Sequence, residues 1–175
     1  MTNPHFFTHR AGPCACLILV MCALNCGHAQ AQARGQVMQF DLPKLDGSAL
    51  VRLRDVPTGV VVLNFWRSDC PPCIQEMPLL NQQSQRQPGV NFIGIATEET
   101  SKAHRFLARY PSGYLQLRAP SDAQGLMRRF GNKTGALPFT VVLNAKRQVC
   151  QATTGLLDER WLAHVLSVCA EKDKH

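Results

Sequence analysis

Cys70 and Cys73, in the run Asn64-Phe65-Trp66-Arg67-Ser68-Asp69-Cys70-Pro71-Pro72-Cys73, are the residues whose type and spacing point to chemistry. An apolar run precedes them and an amphipathic one follows, so they fall where a strand hands over to a helix. A helix start carries unpaired N–H groups and a partial positive charge, and both favour a thiolate over a thiol. Cys70 fits the N-cap and Pro71 the first helical position, where a missing N–H costs nothing; Cys73 then lies one turn in. A dithiol in this setting exchanges disulfides. The more exposed Cys70 attacks, a mixed disulfide forms, and Cys73 resolves it. The pair is then its own redox centre, no cofactor is needed, and Pro71 and Pro72 are expected at the client contact. Glu76, three residues beyond Cys73, shares its helix face. If buried, it would have a raised pKa and could take the Cys73 proton when the mixed disulfide resolves; if exposed, it is an ordinary helical glutamate. Trp66 is expected to pack beneath the dithiol and also to reach its rim. Asp69, adjoining Cys70, is expected to oppose thiolate formation.

Other uses of two cysteines are less well served. A zinc knuckle needs a second ligand pair at comparable spacing, whereas Cys150 and Cys169 are far apart in sequence and no histidine stands near either pair, so no metal is expected. Covalent haem attachment requires histidine after the second cysteine, where this chain has Ile74. A permanent staple between consecutive turns remains an alternative. His104 and His164 read as surface or packing residues.

The elements that must position these groups follow from the apolar pattern. Short alternating segments from Val37 to Leu53 flank Asp46-Gly47, a turn signal, and predict a hairpin. Val60 to Phe65 is apolar except for Asn64, the mark of a strand covered on both faces. A helix with Pro78 inside it follows the cysteines to about Gln87. Val90 to Ala96 predicts a second buried strand, Thr100 to Tyr110 a helix, Tyr114 to Leu117 a short strand, and Asp122 to Phe130 a helix ended by Gly131. Phe139 to Leu143 and Val149 to Thr153 are strands joined by a link too short for a crossover, hence antiparallel. Asp158 caps a last helix with Leu162, Val165, Leu166 and Cys169 on one side. This order predicts an α/β fold: a mixed central sheet with helices on both faces and an added N-terminal hairpin.

At 175 residues the chain suits one domain, once its N-terminus is set aside. His5, His9 and Arg10 lead into an apolar run from Cys14 to Leu24, and small residues alternate with glutamine from Ala29 to Ala33. Residues 1–33 therefore read as a secretory signal peptide, and 34–175 as the working domain. The apolar run is short of the roughly 20 residues a spanning helix needs, so an uncleaved inner-membrane anchor is the weaker alternative. Cleavage would leave Cys70, Cys73, Cys150 and Cys169, an even number suited to an oxidising compartment. The formal charge is +7, scattered rather than striped, and no basic run interleaves with aromatics. Nucleic acid is not an expected partner, while peripheral attraction to an acidic membrane surface stays open.

Cys150 and Cys169 invite a geometric inference. The strand from Cys150 to about Gly155 advances ~16 Å, and the helix from Asp158 to Cys169 returns ~17 Å. A helix lying antiparallel over its own strand would bring the two sulfurs together in a structural disulfide; two separate buried thiols are the alternative.

Together these residues resemble the thioredoxin superfamily, specifically its exported TlpA/ResA-like thiol–disulfide oxidoreductases. The carriers are Asn64-Phe65-Trp66, Cys70-Pro71-Pro72-Cys73, Glu76 with Met77-Pro78, and Leu137-Pro138 before the strand Phe139 to Leu143. The resemblance implies a thioredoxin-like fold. It places Pro138 as the superfamily's cis-proline beside the dithiol, with Leu137 and Pro138 meeting the client, and it gives Glu76 a part in handling protons. It further implies a periplasmic reductase of disulfides in exported client proteins, recharged by a membrane thiol donor and associated with cytochrome c maturation. A disulfide-forming oxidant of the same fold and a metal-handling binding module are the alternatives. The residues between the cysteines do not by themselves fix the direction of electron flow.

Overall fold

The computed structural model describes residues 35–171, so the expected leader and its cleavage site lie outside the described residues. The N-terminal hairpin is built from β1 (Asp41–Pro43) and β2 (Leu50–Arg52), paired antiparallel as a separate two-stranded sheet. Its strands are shorter than the alternation suggests. The chain between them folds inward at Leu45, which is 5% exposed, before Gly47 at φ 73° reverses it. A single 3-10 turn, Leu53–Asp55, follows β2.

The main elements are β3 (Val60–Trp66), α1 (Pro71–Arg86), β4 (Val90–Ala96), α2 (Thr100–Arg109), β5 (Leu115–Arg118), α3 (Ala123–Arg129), β6 (Phe139–Leu143), β7 (Val149–Thr154) and α4 (Glu159–Glu171). The five strands β3 to β7 form one sheet in the order β5-β4-β3-β6-β7. Strands β3, β4 and β5 run parallel, and β6 is antiparallel to both β3 and β7. This is the mixed sheet expected from the element order. Central β3 is buried along its whole length, which explains its almost unbroken apolar run.

Alternate residues of β3 serve different layers. Val61, Leu63 and Phe65 pack with Phe40 and Leu53 of the N-terminal segment and with Met127 and Phe130 at α3. Val60 and Val62 face Leu80 of α1 and Leu162, Val165 and Leu166 of α4. Trp66 ends the second row in a smaller cluster with Cys73 and Met77 of α1, Ala103 of α2 and Leu45 of the hairpin turn. The hairpin thus reaches the layer that holds the dithiol. Arg147 secures the link from the 3-10 turn to β3: its guanidinium donates to the carbonyls of Val56 at 2.6 Å, Pro57 at 2.9 Å and Gly59 at 3.0 Å. Among the described residues no helix is long and apolar enough to cross a membrane.

Candidate active site

At the end of β3 the chain turns through Arg67-Ser68-Asp69 and enters α1 at Cys70. Cys70 is the N-cap: its backbone is extended, its carbonyl accepts the first helical bond from Ile74 N–H at 3.1 Å, and its Sγ accepts Cys73 N–H at 3.3 Å. Pro71 and Pro72 occupy the first two helical positions and have no N–H to offer. The two cysteines are joined, with Sγ–Sγ at 2.11 Å, so this is the oxidised form. Cys70 is partly exposed and Cys73 completely buried. An incoming sulfur therefore meets Cys70 first, while Cys73 can reach only its neighbour.

The approach loop is tied at two points. Arg67 grips Asp69 with a fork, Nε to Oδ1 at 3.0 Å and Nη2 to Oδ2 at 2.9 Å. Asp69, expected to oppose thiolate formation at Cys70, is met by a guanidinium two residues away in a bidentate contact. Glu98, just beyond β4, accepts both the backbone N–H of Ser68 at 2.6 Å and its hydroxyl at 2.8 Å. Nothing in the spacing signalled the Glu98 contact, because it joins loops 30 residues apart.

Beneath α1 the strands set a polar row across the sheet. Their register aligns Gln116 of β5, Gly94 of β4, Asn64 of β3 and Thr140 of β6. A Cβ at Gly94 would stand 2.2 Å from the Gln116 carboxamide lying over it, so glycine lets that carboxamide rest on the sheet. That carboxamide accepts the Trp66 indole N–H at 2.9 Å. Trp66 is 0% exposed and packs on Phe106, with ring centroids 5.6 Å apart. Its expected contact with clients is therefore corrected: the indole's one polar atom is satisfied inside, and Trp66 acts as the floor below the dithiol.

Glu76 lies in this layer, 1% exposed. Asn64 Nδ2 donates to its Oε1 at 2.6 Å and Leu157 N–H to its Oε2 at 3.0 Å. Burial pushes its carboxyl up to about 7, against the opposing pull of these two donors. The exposed-glutamate alternative is removed by that position. A carboxyl titrating near neutrality, one turn from Cys73, can hold or release a proton in the pH range where thiol exchange runs.

Leu137-Pro138 is a cis peptide. Leu137 is partly exposed and packs on the same Trp66–Cys73 cluster as Cys70, which brings the loop alongside the dithiol. The Pro138 ring is buried and its carbonyl accepts Gly155 N–H at 2.8 Å, so Leu137 offers the more open surface to a client. The loop before it is organised by Asn132, 2% exposed, whose Oδ1 accepts the N–H of Gly135 at 2.9 Å and of Thr134 at 3.2 Å while Nδ2 donates to Ala136 O at 2.8 Å. Asn132-Lys133-Thr134-Gly135 carries an Asx-type turn signal in its asparagine and glycine.

A helix-capping dithiol, a buried acid behind it and a cis-proline loop beside it are the parts of a disulfide-exchange centre. The sequence matches the model of the AhpC/TSA family over residues 33–158. The chain belongs to the AhpC/TSA family. Within this thioredoxin-like family it is similar to thiol-disulfide oxidoreductase ResA of Halalkalibacterium halodurans, 28% identical over 141 residues, covering 79% of this chain and 77% of that protein. Soluble secreted antigen MPT53 of Mycobacterium tuberculosis is 32% identical over 101 residues, 56% of this chain and 55% of the antigen. Among solved structures, a secreted Mycobacterium tuberculosis disulfide oxidoreductase homologous to E. coli DsbE superposes with TM-score 0.61 at 26% identity, covering 74% of this chain and 96% of that one. A thioredoxin-related protein from Neisseria meningitidis serogroup B gives 0.66 at 28% identity, over 74% and 98%. This member of the family is thus a thiol-disulfide oxidoreductase of the DsbE/ResA type, with Cys70 and Cys73 as its CxxC pair.

The second cysteine pair of this oxidoreductase stands apart from the exchange centre. Cys150 of β7 and Cys169 of α4 are bonded, Sγ–Sγ 2.16 Å and Cα–Cα 5.9 Å. The pair belongs to the layer of Leu162, Val165 and Leu166, and Cys169 is 0% exposed. His104 sits on α2 with Nε2 2.8 Å from the Leu45 carbonyl, a packing contact that holds the hairpin turn.

Proposed function

We propose that this protein works outside the cytoplasm as a reductase of disulfides in exported proteins, in the service of cytochrome c maturation. An oxidising CxxC pair owes its potential to a strongly stabilised thiolate in the reduced form. Here the prolines at the first two helical positions leave Cys73 N–H as the donor to Cys70 Sγ, and no cation other than Arg67, already engaged by Asp69, lies beside it in sequence. A thiolate held by few donors is a poorer resting state, and electrons pass outward to the client. Export is supported by the basic, apolar and A-x-A order of the first 33 residues. The secreted character of MPT53 points the same way.

The reduced protein begins with a Cys70 thiolate and a Cys73 thiol. Cys70 Sγ attacks one sulfur of the client disulfide, a mixed disulfide forms, and the other client sulfur leaves as a thiolate. The Cys73 proton passes to the Glu76 carboxylate, and Cys73 Sγ attacks Cys70 Sγ. The client's second sulfur leaves, having gained with the first two electrons in all, and the protein carries the Cys70–Cys73 bond. A membrane thiol donor then returns two electrons to the pair. Leu137, beside Cys70, and the exposed Pro71 are the surfaces a client strand meets. No other redox group takes part.

The reduction potential of Cys70/Cys73 tests direction. A value near about −270 mV supports the reductase, whereas one near about −120 mV overturns it in favour of an oxidant. A Cys73→Ala variant expressed with its leader is expected to accumulate mixed disulfides through Cys70 with exported proteins. Recovering only cytoplasmic partners, or none, sinks the assignment of compartment and client.

A further inference from the structure

Asn64 is the residue that meets Glu76, and its carboxamide is used unevenly. Nδ2 donates twice, to Glu76 Oε1 at 2.6 Å and to Thr140 Oγ1 at 3.0 Å, while Oδ1 is buried without a hydrogen-bond partner. Asn64 and Thr140 are each 1% exposed, so no bulk water reaches the orphan. A buried acceptor left unmade costs free energy, and its persistence asks for a reason. The two ends of a carboxamide have nearly the same shape. Rotation by half a turn puts Oδ1 between the same two partners without disturbing the packing around it.

That rotation matters because Glu76 has two protonation states. As a carboxylate it only accepts, and Nδ2–H is the group it needs. As a carboxylic acid it has an O–H to donate, and Oδ1 is the group that takes it. Thr140 follows either way, since a hydroxyl accepts from Nδ2 or donates to Oδ1. Each state then makes the same two hydrogen bonds. An aspartate at this position would set a second carboxylate against the first, and a leucine would leave Glu76 with Leu157 N–H alone.

We propose that Asn64 is a positioning residue whose carboxamide turns over with the protonation of Glu76, donating Nδ2–H to the carboxylate and offering Oδ1 to the acid. The exchange reaction then has a proton acceptor with a matched hydrogen-bond partner before and after it takes the Cys73 proton. This rests on the reading that Glu76 exchanges a proton during resolution. The groups facing Glu76 do not supply the same service. On its own helix Cys73, three residues back, gains a titratable proton only when the Cys70–Cys73 bond is reduced. The Tyr114 hydroxyl, ahead of β5, is pushed up by burial and further by the Glu76 charge, so it stays neutral. The turn before α4 presents Leu157 N–H, with Asp158 occupied in capping α4 through Arg160 N–H at 2.7 Å and Trp161 N–H at 3.1 Å.

Nuclear magnetic resonance on the labelled, full-length processed protein tests this between about pH 5 and about pH 9, with the Glu76 carboxyl carbon reporting protonation. The Asn64 side-chain N–H signals are expected to titrate with the same midpoint. Their Overhauser contact to Thr140 should be present at the alkaline end and lost at the acid end. Contacts unchanged across a range in which Glu76 titrates overturn the turnover and leave the proton role of Glu76 standing. A Glu76 carbon that does not titrate overturns both. In Asn64→Leu, release of a chromogenic thiol from its Cys70 mixed disulfide should have its pH limb shifted upward, making the step about tenfold slower at neutral pH. A limb unmoved in a folded variant contradicts the coupling. The measurement on the unmutated protein decides the matter if that variant does not fold.

Discussion

The two disulfides are the same covalent bond in opposite surroundings. Cys70–Cys73 spans three residues across the opening of α1, with one sulfur partly exposed and accepting a helix N–H, and a buried titratable acid one turn away. Cys150–Cys169 spans 19 residues, ties an edge strand to the helix that covers it, and rests against leucine and valine side chains. Closing three residues removes little freedom from an unfolded chain, whereas closing a long loop removes much more. The reactive bond is therefore the one that contributes little to stability. The stabilising one joins a strand to the last turn of a helix rather than to a helix start.

The sharpest separation comes from removing sulfur. Cys70→Ser is expected to reduce disulfide exchange to background, because the hydroxyl neither ionises nor bonds to a client sulfur, while thermal stability changes little; turnover of a protein disulfide measures the first and thermal unfolding the second. Cys150→Ala with Cys169→Ala should do the reverse, lowering unfolding free energy by about 3 kcal/mol and leaving exchange intact. If the second pair proves necessary for exchange in a folded protein, the division between the two bonds collapses.

Glu76 gives the next effect. Its carboxyl is raised from 4.5 to about 7 on folding, so the folded state binds its proton more tightly than the unfolded state. Its contribution is complete below the unfolded value and is lost as pH rises toward about 7, a change on the order of 3 kcal/mol. Glu76→Gln should abolish that slope: relative to the unmutated protein, the variant gains stability between pH 5 and pH 8 in denaturant titrations, yet resolves mixed disulfides more slowly. Arg67→Ala has the smallest expected effect. An exposed ion pair is worth at most about 1 kcal/mol, so freeing Asp69 should slow alkylation of reduced Cys70 by less than about fivefold at neutral pH and at low salt, with the difference fading as salt rises.

Most of the architecture could be read from local pattern. The buried strand Val60–Trp66, the antiparallel pair Phe139–Leu143 and Val149–Thr154, and the caps at Cys70, Asp122 and Asp158 follow from periodicity and turn chemistry that act within a few residues. The hairpin was legible in kind but not in length, because Leu45 is drawn inward by a cluster formed from α1, α2 and β3. Trp66 could be placed under the dithiol but not denied the rim, since its partner Gln116 comes from a strand two places away in the sheet.

What the sequence by itself determined is the chemistry: two thiols at a helix start, an acid three residues further on, and a proline before a buried strand. Each depends on covalent geometry and on neighbours close in the chain. The tertiary structure alone decided the environment of that chemistry. It buried Glu76 against Asn64 and Leu157 and clamped Ser68 with Glu98. These decisions belong to the fold because proton affinity depends on desolvation and on donors, and both are supplied by residues that only strand register and helix packing bring within 3 Å.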